Sequence, residues 1–361
     1  MAVIQTILFL AHWFVYETWT AFHPSADPQG VSRLQLATVL LSVSFVAASL
    51  LAFRYSNSWV QLFYKFAATW LGFFNFFFLA AVASWLVYLG SQLMGISLAR
   101  SIIADALYGL AILASICGLV NARWIRINRV TVKLPNLPPS WRGRTAALVS
   151  DVHLGHVNGS GFLRRVVDML ARLRPDIVFI AGDFYDGSKV NADQLAKPLR
   201  GLSAKFGVYF AAGNHEEFSD STRYLDALEQ AGIRVLNNEK VIVDGLQIVG
   251  VHHRDSAVPA RFRAILERAG VDRSQASILL SHSPHALPIA EQAGISLQLS
   301  GHTHGGQVFP FTWFTTRIFR EYTYGLNRLG ELMVYTSSGV GTWGPPMRAG
   351  TRPEVVLIQF E

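Results

Sequence analysis

Four long apolar stretches open this chain, and short apolar runs alternating with amphipathic segments fill the remainder. The long stretches span about residues 3–22, 34–53, 66–89 and 101–120. Each approaches the roughly 20 residues a helix needs to cross a bilayer core. The third, with Trp70, Phe73, Phe74, Phe76, Phe77, Phe78 and Trp85, is free of charge. The first contains His12 and Glu17, lacks the basic start and cleavage site of a secretory signal, and reads as a helix as well. From residue 145 the period shortens. Apolar runs at 145–150, 177–181, 208–212, 241–243, 246–251, 278–280, 297–299, 332–335 and 355–360 predict strands. Helical spacing at 162–172, 192–202, 222–231 and 260–269 predicts the helices between them. Asp244-Gly245 marks a hairpin. The alternation predicts an α/β domain over 145–361.

Charge divides the chain the same way. Residues 1–121 hold four basic residues, Arg33, Arg54, Lys65 and Arg100, and three acidic ones, Glu17, Asp27 and Asp105. Residues 145–361 are balanced, so most of the net +7 sits in Arg123, Arg126, Arg129, Lys133, Arg142 and Arg144. A nucleic-acid binder would spread that excess over a folded face, so no nucleic-acid partner is expected. Basic residues just after an apolar segment are held by anionic headgroups. Pro135, Pro138 and Pro139 oppose helix, so 122–144 reads as a basic, Pro-rich, extended juxtamembrane connector. Short-loop Lys and Arg number eight on one side of four spans and two on the other. That bias predicts a multi-pass protein of the inner (cytoplasmic) membrane with both termini and the catalytic domain in the cytoplasm. The single cysteine, Cys117, excludes a disulfide within the chain and a cysteine-based zinc site; it reads as a small buried hydrophobe.

Candidate chemistry follows the strands. Asp151-Val152-His153, Gly182-Asp183, Gly213-Asn214-His215-Glu216, Ser281-His282 and Gly301-His302-Thr303-His304 each begin where an apolar run ends. In open α/β sheets, sites lie outside the carboxyl ends of strands. The donors are oxygen and imidazole with no thiolate, which suits two divalent metals activating water against a phosphate ester. Glycine before three of the ligands permits close backbone approach.

This ordered series resembles the calcineurin-like metallophosphoesterase superfamily, and within it the membrane-associated YkuE/YaeI-type bacterial phosphoesterases. Leu134–Pro138, Gly305-Gly306-Gln307 and Gly339-Val340-Gly341 followed by Pro346 and Arg348 carry further likeness. The resemblance covers about 123–361. It implies a four-layer αββα sandwich, here preceded by a four-helix transmembrane region over 1–121. It also implies that Asp151, His153 and His304 hold one metal, that Asn214, His282 and His302 hold the second, and that Asp183 bridges them. His215 would protonate the leaving group, with Glu216 orienting it. The metals would be Mn, Fe or Zn. His156, His253 and Arg254 are candidate substrate contacts; His252 and His253 stand where close relatives often carry acidic residues. His285 reads as structural.

The expected activity is bimetal-dependent hydrolysis of a phosphate ester, by a phosphodiesterase or pyrophosphatase acting on a lipid-linked or amphiphilic substrate at the bilayer. The alternatives are a phosphodiesterase for soluble substrates and a metal-binding membrane sensor without catalysis. The aromatic and basic segment 308–328 reads either as ordinary core or as a flap that touches lipid.

Overall fold

The computed structural model describes residues 2–218 and 221–361. It divides into two compact units, one comprising residues up to Val120 with Gly344–Ala349, the other Asn121–Trp343 with Gly350–Glu361.

The first unit is built on four helices, α1 (Ala2–Phe22), α2 (Pro28–Arg54), α3 (Ser58–Leu93) and α4 (Arg100–Arg123). Small residues face inward: Ala48, Ala52, Ala67, Ala68, Ala81, Ala104 and Ser115 are buried. Large apolar ones face outward, including Ile7, Leu40, Phe53, Leu86 and Leu113. That inversion of the water-soluble pattern is how helices pack in lipid, where close backbone approach drives association. By length and hydropathy α2, α3 and α4 can cross a membrane. The first expected span is a helix but falls outside that set, its apolar run interrupted by His12, Glu17 and threonines. Cys117 is exposed, contrary to the buried position expected, because it lies on the outward face of α4.

The second unit is a sandwich of two six-stranded sheets. Its strands are β1 (Arg126–Val132), β2 (Thr145–Val149), β3 (Ile177–Ala181), β4 (Val208–Ala211), β5 (Arg234–Val235) and β6 (Glu239–Val243). They continue with β7 (Leu246–Val251), β8 (Ser277–Ser281), β9 (Leu297–Ser300), β10 (Gly325–Leu329), β11 (Leu332–Thr336) and β12 (Glu354–Phe360). The sheet orders are β1-β12-β2-β3-β4-β5 and β10-β11-β9-β8-β7-β6. Helices α5 (Ser160–Leu173), α6 (Ala192–Ala196) and α7 (Ser221–Gln230) contribute to the core on the outer face of the first sheet. The short α8 (His253–Ser256) leads into α9 (Pro259–Ala269), which with α10 (Leu287–Gln292) covers the second sheet. Helix α11 (Phe311–Phe319) follows β9.

Alternation along the strands builds the layers. Ala146, Leu148, Phe179, Ile278, Leu280, Leu297 and Leu299 meet between the sheets, while Ala147, Val149, Val178, Ile180 and Phe210 face the first helical layer. Asp244 and Gly245 both have positive φ and close the β6–β7 hairpin as expected of this dipeptide.

The 122–144 segment is not an extended connector throughout. Arg126–Val132 is an edge strand pairing in parallel with β12. Leu134, Leu137 and Trp141 are buried, and the Trp141 indole donates to Val243 O and Asp244 O. Arg144 pairs with Asp176 at 2.9 Å.

A polar clasp joins the two sheets. The buried Glu354 carboxylate of β12 accepts from Asn128 Nδ2, Tyr324 OH, Tyr335 OH and Ser338 N at 2.9–3.4 Å. Glu354→Ala orphans these donors, and we expect a loss of about 2–4 kcal/mol of stability, read as a lowered unfolding midpoint of the detergent-solubilised chain. An unchanged midpoint would show that the clasp contributes nothing net.

Candidate metal centre

Strands β2, β3 and β4 run parallel in the first sheet, and β8 and β9 run parallel in the second. Their following loops are stitched together by backbone bonds. Asp151 N donates to Gly182 O, His153 N to Asp183 O, and Gly301 N to His282 O. All seven expected ligands therefore arrive in one place.

Their distances define two groups sharing a carboxylate. In the first, His153 Nε2 lies 3.0 Å from His304 Nε2, and His304 Nε2 lies 3.4 Å from Asp151 Oδ1. In the second, His302 Nδ1 lies 3.2 Å from His282 Nε2 and 3.0 Å from Asn214 Oδ1. Asp183 Oδ2 stands between them, 3.8 Å from His153 Nε2 and 3.1 Å from His282 Nε2. Two imidazole nitrogens facing each other at such distances need a proton or a cation between their lone pairs. With only nitrogen and oxygen donors converging, the residues fit a pair of divalent cations.

Electrostatics point the same way. Burial alone would lower the His282 imidazole, but Asp183 overrides it and raises it to about 10. Burial would raise Asp183, yet His282 and then His215 and His153 hold it well below the usual carboxylate range. Burial pushes Asp151 up to about 6 and lowers His302 to about 3. The cluster thus gathers a positive charge onto His282 beside Asp183, where a cation would serve both groups.

The backbone is shaped for this geometry. Asp151, His153, Asp183, His302 and His304 all have positive φ, between 49° and 71°. Non-glycine residues rarely adopt this conformation, and it concentrates at functional sites when surrounding bonds enforce it. One enforcing group is Glu216. Its buried carboxylate accepts from Asp183 N and Tyr185 N at 3.0 Å and Gly213 N at 2.8 Å. Burial, and Asp183 next, push it up to about 7 while the N–H donors pull the other way. Close approach is the other constraint. A Cβ at Gly301 would overlap Asp151 Oδ2, and one at Gly213 would overlap Asp183 Oδ1.

Glu216 does not orient His215, as had been expected; it is committed to the ligand loops. The His215 ring is set by Asp186, whose carbonyl accepts from Nδ1 at 2.9 Å. That leaves Nε2 facing Asp183 Oδ2 at 3.9 Å. Phe218 and Trp343 flank the ring, with centroids at 4.5 and 5.5 Å. The Trp343 backbone is pinned through both its N–H and its carbonyl by the Gln307 side-chain amide.

The expected substrate contacts fare differently. His156 is buried, its Nδ1 bonded to Ser188 Oγ, which in turn donates to Asp186. It supports the Asp186 loop. His253 stacks on His302 with centroids 5.4 Å apart. Arg254 is exposed, and its backbone N–H donates to Glu217. His285 bonds Ser283 and lies 5.1 Å from Phe319, on the His302 side of the cleft. Asp186, Ser188 and Trp343 escaped the sequence reading, and Gln307 entered it only as part of a family likeness with no role assigned. Only the Asp183-to-Asp186 spacing hinted at a second acid in that loop.

The profile of the calcineurin-like phosphoesterase family matches residues 145–306. A Danio rerio transmembrane protein with metallophosphoesterase domain is 35% identical over 69% of this chain and 60% of its own length. The chain thus spans less than two thirds of that relative. A metallophosphoesterase of Aquifex aeolicus is 33% identical over 70% of this chain and 98% of its own. The metallophosphoesterase YkuE of Bacillus subtilis is 28% identical over 64% and 84%. The crystal structure of a dimetal phosphatase from Danio rerio aligns over 61% of this chain and 100% of its own, at 14% identity and a TM-score of 0.39. Given the match to nearly the whole Aquifex protein, this chain belongs to the calcineurin-like metallophosphoesterase family.

Proposed function

We infer that this chain is a membrane-anchored, bimetal-dependent hydrolase of phosphate esters. It acts as a phosphodiesterase or pyrophosphatase on a lipid-linked or amphiphilic substrate. The observation that carries the reading is Asp183 Oδ2 between two imidazole pairs, 3.8 Å from His153 and 3.1 Å from His282. Asp151, His153 and His304 would hold one cation, Asn214, His282 and His302 the other, and Asp183 would serve both. Bound there, two cations (Mn, Fe or Zn) supply charge for the phosphoryl oxygens and make water more acidic.

The chain's own groups do the remainder. Asn214 contributes a neutral oxygen, limiting the negative charge met by an anionic substrate. His215 keeps its Nδ1 proton on Asp186 O, so the proton that moves is at Nε2. As imidazolium it gives that proton to the departing oxygen and returns to the neutral tautomer already held. Phe218 and Trp343 narrow the approach of water to that nitrogen. His253, stacked on His302, and Arg254 line the opposite side as substrate contacts. The lipid-side reading is supported by the apolar α2, α3 and α4. The Lys/Arg bias of the short loops supports a cytoplasmic catalytic domain in the inner membrane.

His215→Ala is expected to keep both metals by elemental analysis while losing roughly 10²–10⁴ in turnover of a chromogenic phosphodiester with manganese. Loss of a metal would make His215 a ligand instead. Asp183→Asn should abolish both metal retention and turnover; full occupancy with no hydrolysis in either the parent or this variant would favour a sensor. Gly301→Ala should displace Asp151 and weaken metal retention by roughly tenfold or more, the order seen when a ligand's support is lost; parental metal content in that variant would refute the packing argument.

A further inference from the structure

Helix α11 has no buried residue. Phe311, Trp313, Phe314 and Ile318 are exposed, Ile318 by 70%, and Phe309 just before them is exposed as well. A short helix on a water-soluble domain normally hides one apolar stripe; this one hides none. Residues 308–320 contain Arg317 and Arg320 and no acid. The Arg317 guanidinium lies 4.8 Å over the Trp313 ring. Tryptophan, phenylalanine and arginine together are the composition of elements that lie at a membrane–water boundary, where the rings sit at headgroup depth and the cations meet phosphate.

The helix is also fastened to the metal loop. Gly306 packs so tightly that a Cβ there would overlap Thr312 and Phe311 backbone. Thr303 Oγ1 donates to Thr323 O at 2.7 Å, tying the segment after α11 to the His302–His304 turn. At the helix's C-terminal end, Phe319 lies 6.1 Å from the His302 ring and 5.1 Å from His285. The exposed face and the metal ligands therefore belong to one rigid piece.

We propose that α11 is a bilayer-docking helix. Phe311, Trp313, Phe314 and Ile318 enter the headgroup–acyl boundary, Arg317 and Arg320 engage anionic lipid phosphates, and Phe319 marks the path from that surface to His302. The occupant is lipid. The same chain carries helices able to cross a membrane, so a bilayer is the apolar phase this helix meets, and its charge complements anionic headgroups. The delivery of a lipid phosphate to His302 rests on the phosphoesterase reading; the docking does not.

The test uses the full chain with Cys117→Ser, reconstituted in phosphatidylglycerol-containing nanodiscs whose lipids carry a nitroxide on the acyl chain. A fluorophore is attached at Ile318→Cys or, as a control on α9, at Glu267→Cys. The label at 318 should be quenched and the label at 267 should not. Trp313→Ser with Phe314→Ser, or Arg317→Glu with Arg320→Glu, should relieve the quenching at 318. Absent quenching at 318, or equal quenching at both positions, overturns the docking. Turnover of a soluble phosphodiester is measured in parallel. Turnover without quenching at 318 sinks the docking and leaves the enzyme reading intact; quenching without turnover does the reverse.

Discussion

A single buried carboxylate organises the two-sheet domain. Asp183 sits out of water with His153, His215 and His282 around it. An isolated ionised carboxylate at such a depth would cost several kcal/mol or neutralise itself. It stays anionic because imidazoles converge on it from loops of both sheets. Removing one of those loops would strip away part of that compensation. The sandwich can therefore be understood as the scaffold that brings β2, β3 and β4 to the same edge as β8 and β9.

Holding that convergence imposes a second cost. Five of the proposed ligands adopt left-handed backbone, and glycines stand where any side chain would collide with Asp151 or Asp183. Each strained residue costs on the order of 1–3 kcal/mol. The offset is visible in Glu216, whose carboxylate takes three backbone N–H groups from two loops at once. A carboxylate in that position is a brace. It was natural to read Glu216 from the sequence as His215's partner, because adjacency in the chain suggests contact. The ring is instead served by the Asp186 carbonyl, from the loop after β3.

This contrast shows where sequence reading succeeds. Strands β2, β3, β4, β8 and β9 are buried on both faces, so they appear as unbroken apolar runs, and the polar residues after them stand out. Strand β1 alternates exposed and half-buried positions and carries Arg126 and Arg129, so its charge resembled a headgroup-binding junction. Its pairing with β12, more than two hundred residues away, has no local signature. His156 was visible as a histidine near the first motif, but only the fold reveals that Ser188 and Asp186 enclose it. Helix α11 was noticed for its aromatics, yet nothing in its spacing told whether they point inward. A protein core and a lipid-facing surface use the same side chains.

The helical unit resolves that ambiguity in its own case by where it puts size. Its interior is rich in alanine, serine and glycine beside Phe22, Phe74, Ile103 and Tyr108, and its exterior is mostly leucine, isoleucine and phenylalanine. In water this arrangement would forfeit most of the available hydrophobic stabilisation, since the largest apolar surfaces remain exposed. In lipid it forfeits nothing, and the small residues gain close packing. The polar groups inside obey the same logic. His12 is buried, stacked on Phe74 at 3.5 Å, with its Nδ1 on Leu8 O and its Nε2 accepting from the Trp70 indole. With both ring nitrogens engaged, the neutral imidazole needs no water, and α1 can sit among apolar neighbours despite interrupting the pattern that identifies a span. A helix can therefore be too polar by composition to stand out as an apolar run and still bury an imidazole with both of its nitrogens engaged.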